Sequence, residues 1–423
     1  MASFAAKEGC SSLIFGTCPS ALAPMIPTDP IDPTDPADAA DPATPANPPD
    51  SADSGSAASP TPAPIPPAHR APDRPPIRSG FLLVDKPTGL TSHGVVYRVR
   101  KEFGLKRGGG AARVGHLGTL DPNATGLLVM VVGTAGRALE FFSPLDKTYL
   151  ATVRLGLSSD TDDVWGDVQP IEGREGFLVP DAANATGAAA AAAGGAPSEF
   201  PTRARIEALL AAEFAGERMQ VPPQISAVQV GGKRAHRAAR AGRPLRMEAR
   251  PVVLRAWRVV GYTPPDIDLE LTTSAGYYVR SLARDLGARL GTGGVIAALR
   301  RTAVGSWRIG EAHSLEHLAA EDILPFYAML TARAPEELRS APHGPQALCR
   351  LGADVCSRLI CGLAVELDGE PPPPETRAVW ALHRDCVVAI LLPEAGRWRA
   401  KKSFLGIDEF RARFGGGTPG GEG

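Results

Sequence analysis

The patterned part of the chain opens at Gly80-Phe-Leu-Leu-Val-Asp-Lys-Pro-Thr-Gly89, an apolar strand halted by Pro87 and Gly89. Thr91 or Ser92 then caps a helix with Val95, Val96 and Val99 on one face and Arg98, Arg100 and Lys101 on the other. Leu127-Leu-Val-Met-Val-Val132 is an unbroken apolar run, short enough for a buried strand. A further strand is expected from Thr148 to Gly156. From Thr202 to Phe214 the residues Ile206, Leu209, Leu210 and Phe214 recur at amphipathic helical spacing. Ile267 to Thr273 alternates apolar and polar, as a half-buried strand does. The helix after Ser274 turns Val279, Leu282, Ala283, Leu286 and Leu290 inward and closes at Gly291. Leu299 to Gly305 leads into a last core strand. Beyond Leu318 the pattern changes, and residues 345–410 read as a helix with short strands, a small β-rich module.

Composition sets the limits of these elements. Residues 1–79 hold 18 of the 41 prolines and few apolar side chains, so no core can offset the entropy of ordering them. They are expected to be a disordered extension. Residues 80–318 then form the main domain, with an Ala/Gly-rich surface insertion at 181–198, and residues 411–423 a disordered tail. The formal charge of −1 hides an asymmetry, because nine acids against four bases in residues 1–79 leave the remainder mildly basic. Six cysteines without a Cys-x-x-Cys pair or clustered histidines point to reduced thiols and to no zinc site. No apolar run approaches a membrane span, and a secretory leader is not evident, so a cytoplasmic protein is expected.

The candidate chemistry gathers in Arg113-Val-Gly-His-Leu-Gly-Thr-Leu-Asp-Pro-Asn-Ala-Thr-Gly126. One carboxylate, Asp121, stands on a tight loop beside the buried run, a placement that suits an acid doing chemistry as well as a simple Asp-Pro turn. Gly108-Gly-Gly110 lacks the Gly-Lys-Ser/Thr of a P-loop. Asp160, Asp162, Asp163 and Asp167 fail the calcium-loop pattern at Val164 and Trp165, which leaves a turn with solvated acids. Between Lys233 and Arg258 nine basic residues face one acid, Glu248, a composition suited to phosphate contact.

The string Gly115 to Gly126 resembles the catalytic motif of the TruB family of tRNA pseudouridine synthases. Leu83 to Gly89, Lys147-Thr-Tyr-Leu150, Gln220 to Ala227 and Gly276-Tyr-Tyr-Val-Arg-Ser281 are similar to its other motifs, in order, over about residues 80–310. The resemblance implies an α+β fold: a mixed, largely antiparallel central sheet flanked by helices, with a PUA-like RNA-binding C-terminal module. It implies isomerisation of uridine-55 in the T arm of tRNA, without cofactor or metal, by a protein acting as a monomer. Asp121 would be the catalytic carboxylate, Arg280 its ion-pair partner, and Tyr149 a face for the flipped base. His116 would contact RNA around the emptied position, Tyr278 and Leu299 would line the uracil pocket, and Lys86 would meet phosphate. A guide-RNA-dependent synthase of the dyskerin type and a non-catalytic tRNA chaperone are the alternatives. Ile225, Gln229, His236 and Trp165 depart from the family's pattern, which bears on RNA docking.

Overall fold

The structure, a computed structural model, describes residues 79–105, 113–171, 200–332, 345–367, 372–373 and 375–415. Residues 1–78, the insertion at 181–198 and residues 416–423 lie outside the described residues.

In chain order the elements that matter are β1 (Gly80–Lys86), α1 (Ser92–Glu102), β2 (Val114–His116), β3 (Thr125–Val132) and β4 (Lys147–Leu155). There follow α2 (Arg203–Leu209), β5 (Gly216–Gln220), β6 (Arg250–Thr263), β7 (Asp266–Thr273), α3 (Val279–Leu290), β8 (Gly294–Val304), β9 (His313–Ser314) and α4 (Phe326–Ala332). The C-terminal module holds β10 (Ala347–Arg350), α5 (Ala353–Ile360), β11 (Val379–His383), β12 (Cys386–Glu394), β13 (Arg397–Ser403) and α6 (Ile407–Phe414).

The central sheet runs β9-β1-β3-β8-β4-β7-β6-β5, with β2 on the edge of β3. Only β1–β9 and β3–β8 pair in parallel along that path, so the sheet is mixed and largely antiparallel. Period-two alternation divides β1 and β3 between two cores. Leu82, Val84, Leu128 and Met130 face Val95, Val96 and Val99 of α1. Phe81, Leu83, Leu127 and Val129 face the other way, onto Phe142, Trp307 and Phe326. Both faces of β3 are therefore covered, which is why its sequence is a continuous apolar run and not an alternating one. On the other half of the sheet, Val153, Leu269 and Leu271 meet Leu282 and Leu286 of α3 and Leu210 and Phe214 beyond α2.

The joint between β3 and β8 depends on one glycine. Gly126 has φ +102°, and a Cβ built on it would lie 2.2 Å from the carbonyl oxygen of Arg301. Alanine there would force the two strands apart next to the loop that carries Asp121.

The C-terminal module is a four-stranded sheet, β10-β11-β12-β13, with α5 and α6 packed on it. It is docked on the main domain through aromatic rings: Trp380 lies 5.6 Å from Phe141 and 5.7 Å from Phe326, and Phe404 lies 5.0 Å from Phe326. Two expected boundaries shift. The main sheet takes a further strand from Leu324–Pro325, past residue 318, because β1 still has an edge to pair there. The expected tail from residue 411 begins inside α6, whose Phe410 is fully buried in the module's core.

Candidate active site

Asp121 stands on the loop between β2 and β3, and the turn from β1 into α1 grips that loop on either side of it. Ser92 Oγ accepts from the Leu120 amide at 2.9 Å and donates to the Leu120 carbonyl at 3.0 Å. Lys86 Nζ donates to the Pro122 carbonyl at 2.8 Å, and also to Pro87 (2.8 Å) and Leu90 (2.7 Å). From beneath, the buried guanidinium of Arg301 donates through Nε to Leu127 (2.8 Å) and through Nη2 to Gly118 (3.1 Å). A loop with so many fixed points holds its carboxylate at low entropic cost.

The expectation that Lys86 meets phosphate is corrected by these contacts. Lys86 is 0% exposed, and three backbone carbonyls take its N–H donors. Burial pushes its ammonium down from 10.5 to about 8, against the pull of Asp121 and with a further push from Arg301. Lys147, buried nearby, is lowered to about 8 for the same reason. Below about pH 8 Lys86 is protonated and serves all three carbonyls; above it, the neutral amine has two N–H donors for three acceptors. Turnover is therefore expected to fall as pH rises through about 8. Stability should not fall with it. A lowered lysine pKa means the unfolded chain binds more protons between about 8 and 10.5, so these two groups add stability as pH rises through that window. Rates and melting temperatures measured across that range check both signs, and a flat rate profile would remove the protonation of Lys86 from the account.

Arg280, at the start of α3, reaches the carboxylate from the other half of the sheet. Its Nη2 donates to Asp121 Oδ1 at 3.0 Å, and its Nε lies 2.8 Å from Oδ2 as a charge contact without hydrogen-bond alignment. The guanidinium is held from behind as well: Nη1 donates to the Thr161 carbonyl (2.8 Å) and lies 3.9 Å from Asp163, and Nη2 donates to the Ile225 carbonyl (2.9 Å). The Arg280 side chain is 5% exposed and that of Asp121 39%, so the cation is the buried partner and the acid the accessible one. A cation at a helix N-terminus opposes the helix dipole; here two carboxylates and two carbonyls offset that misfit.

The acid-rich loop after β4 is corrected too. Asp162 and Asp163 are each 8% exposed and are not solvated. Asp163 accepts from Thr161 Oγ1 at 2.7 Å and from the Trp165 amide at 3.1 Å, and so presents its remaining charge to Arg280. Asp162 pairs with Arg284 at 2.8 Å; burial pushes its carboxyl up, against Arg284 and Arg280. Gln220, the first residue of the Gln220–Ala227 motif, is a further support whose role the sequence does not show. Its buried amide spans the backbone of Tyr278, Nε2 to the carbonyl (3.0 Å) and Oε1 from the amide (2.9 Å), and so fixes the residue at which α3 begins.

Tyr149 on β4 and Leu299 on β8 point to one face of the sheet, half-buried, and both pack against the α1 core and the α3 core. They lie in the seam between the core that holds Leu120 and Ala124, near Asp121, and the core that holds Val279, next to Arg280. Tyr278 is the N-cap of α3 at that seam; burial pushes its phenol up, opposed by Ser226, Arg280 and Arg250 and helped by Asp121. His116, on β2, is half-buried, and burial, then Arg301 and His93, push its imidazole down against a hydrogen bond with the Gly118 backbone. Of the basic run, Arg255 and Arg258 are paired with Asp146 and Glu270. Lys233, Arg234, Arg237, Arg240, Arg243, Arg246 and Arg250 are exposed and make no ion pair among the described residues.

Comparison with known families places the chain that carries this site. The family described as "TruB family pseudouridylate synthase (N terminal domain)" matches residues 106–175 and 180–279, and "tRNA pseudouridylate synthase B C-terminal domain" matches residues 280–328. The first of these matches covers Asp121 and the second begins at Arg280, so both lie within pseudouridylate synthase sequence. Among relatives, the tRNA pseudouridine synthase B of Thermobifida fusca is 43% identical over 271 residues, 62% of this chain and 82% of its own length. That of Mycobacterium tuberculosis (strain H37Rv) is 39% identical over 249 residues, 58% of this chain and 73% of its own. The chain belongs to the TruB family of pseudouridylate synthases. Among solved structures, a Cbf5-Nop10-Gar1 complex aligns with a TM-score of 0.49 at 23% identity, covering 81% of this chain and 93% of the other. No helix among the described residues is long and apolar enough to cross a membrane.

Proposed function

We propose that this protein is a stand-alone tRNA pseudouridine synthase that isomerises uridine-55 in the T arm. The observation that carries the reading is the carboxylate of Asp121, accessible from outside and gripped by a buried guanidinium at 2.8 and 3.0 Å. The target nucleotide is extruded into the seam at a cost of a few kcal/mol. Asp121 acts at the sugar, either by attack on C1′ or by removal of a ribose proton, and the N1–C1′ bond breaks. The freed uracil turns against Tyr149 and Leu299, C5 bonds to C1′, and the C5 proton leaves to solvent while N1 takes one up. Tyr149 is the group proposed to handle that proton, and His116 and Tyr278 hold the RNA and the base. The step is an isomerisation, so it balances without oxidant, donor or cofactor.

The seven unpaired cations between Lys233 and Arg250 support tRNA as the substrate, since phosphate neutralisation supplies most nucleic-acid affinity. A second, PUA-like contact in the C-terminal module is supported by the exposed Lys401 on β13, beside Arg397 and Arg399, which are paired with Glu366 and Glu394; the protein is proposed to work as a monomer in the cytoplasm. The test is an unmodified tRNA transcript carrying tritium at uracil C5. Purified protein alone should release the label, from position 55, with no added metal, protein or guide RNA. Release that requires a guide RNA would move the protein to the dyskerin type, and tRNA binding without release would make it a chaperone.

A further inference from the structure

Helix α1 has a buried side that is accounted for and an outer side that is not. Val95, Val96 and Val99 are packed on the sheet. His93, Tyr97, Arg98 and Lys101 are exposed around the opposite arc, with Tyr97 66% exposed, and Arg100 is half-buried at its edge. Basic residues in the last turn complement the helix dipole, which accounts for Arg100 and Lys101. It does not account for an exposed tyrosine ring one turn from a histidine and beside Arg98. No acid pairs with Arg98 or Lys101 among the described residues, and from Arg98 to Arg113 the sequence has six bases (Arg98, Arg100, Lys101, Lys106, Arg107, Arg113) against Glu102 alone.

The helix is also fastened to the catalytic loop at both ends. Ser92, its first residue, makes the two hydrogen bonds to Leu120, next to Asp121. Arg100, in its last turn, donates to the Val114 carbonyl at 3.3 Å on the strand that leads to His116. Anything seated on α1 is therefore held in register with the carboxylate.

From this we infer that the outer face of α1 is a docking surface for the sugar–phosphate backbone of the RNA substrate. Arg98 and Lys101 meet phosphates, and Tyr97 lies against a ribose or an unpaired base. The inference rests on the proposed RNA substrate and adds where its stem runs. Cations spaced one turn apart on a helix fit successive phosphates, and an aromatic ring among them adds a contact that salt does not screen.

The experiment uses the full-length protein and titrates tRNA binding against KCl concentration for the parent, for R98E/K101E and for Y97A. The double variant should bind roughly ten-fold or more weakly at about 0.1 M salt, with the slope of log K against log salt shallower by about two, one per lost phosphate contact. Y97A should lose roughly five-fold or more at an unchanged slope, and Tyr97→Phe should recover most of it. In the tritium assay the loss should appear as a raised KM for tRNA, in step with the weakened binding. An unchanged affinity and slope in the double variant would overturn the inference. The tritium assay on the parent reads separately: no release with the slope effect intact would sink the synthase reading and leave this surface standing.

Discussion

Replacing Asp121 by asparagine is expected to remove turnover, by roughly 10⁴-fold or more in a single-turnover tritium-release assay, as loss of a reacting group does in other enzymes. The amide has the shape of the carboxylate and keeps an oxygen for the Nη2 hydrogen bond of Arg280. It cannot attack carbon, and it cannot take a proton. The fold should not notice the change. Asp121 is the exposed member of its pair, and Arg280 keeps the carbonyls of Thr161 and Ile225 and the charge of Asp163. The melting temperature should stay within a few degrees of the parent and tRNA affinity within a few-fold. A D121N protein that releases tritium within ten-fold of the parent rate would show that another group performs the sugar chemistry.

Much of this site was legible in the chain, and what was not has a physical cause. The loop of Asp121 is local: glycines, a proline and the apolar run of β3 lie within a few residues of it, so sequence alone locates it. The Asp121–Arg280 pair is separated by 159 positions, and only the resemblance to a family joins the two. Lys86 shows where such reading fails. A lysine after a strand and before a proline looks like a surface cation, and nothing local says that three carbonyls close around it. Asp162 and Asp163 mislead in the same way, because an acid-rich loop reads as solvated until α3 brings Arg280 and Arg284 beneath it. Gln220 opens a motif, but its role is not legible there, since its partner is the backbone of Tyr278, and backbone partners carry no residue type.

Arg280→Met should cost both stability and chemistry, and the two losses can be separated. In the parent the guanidinium is 5% exposed and serves Asp121, Asp163 and two carbonyls. Methionine fills the space and leaves those acceptors without their donor. Breaking a buried pair commonly costs about 3–5 kcal/mol. The low end applies here, because Asp121 is already 39% exposed and Asp163 keeps its bonds from Thr161 and Trp165. A drop of several degrees in melting temperature is expected, together with turnover close to that of D121N. Arg280→Lys should recover little, since one ammonium cannot make the fork that reaches Asp121 and the Thr161 and Ile225 carbonyls at once. Adding Asp163→Asn to Arg280→Met removes the stranded buried charge while leaving an oxygen for Thr161 and Trp165. The double variant should regain part of the lost melting temperature and none of the turnover. Recovery of both would reduce Arg280 to a structural strut, whereas recovery of stability alone ties the guanidinium to the working position of the Asp121 carboxylate.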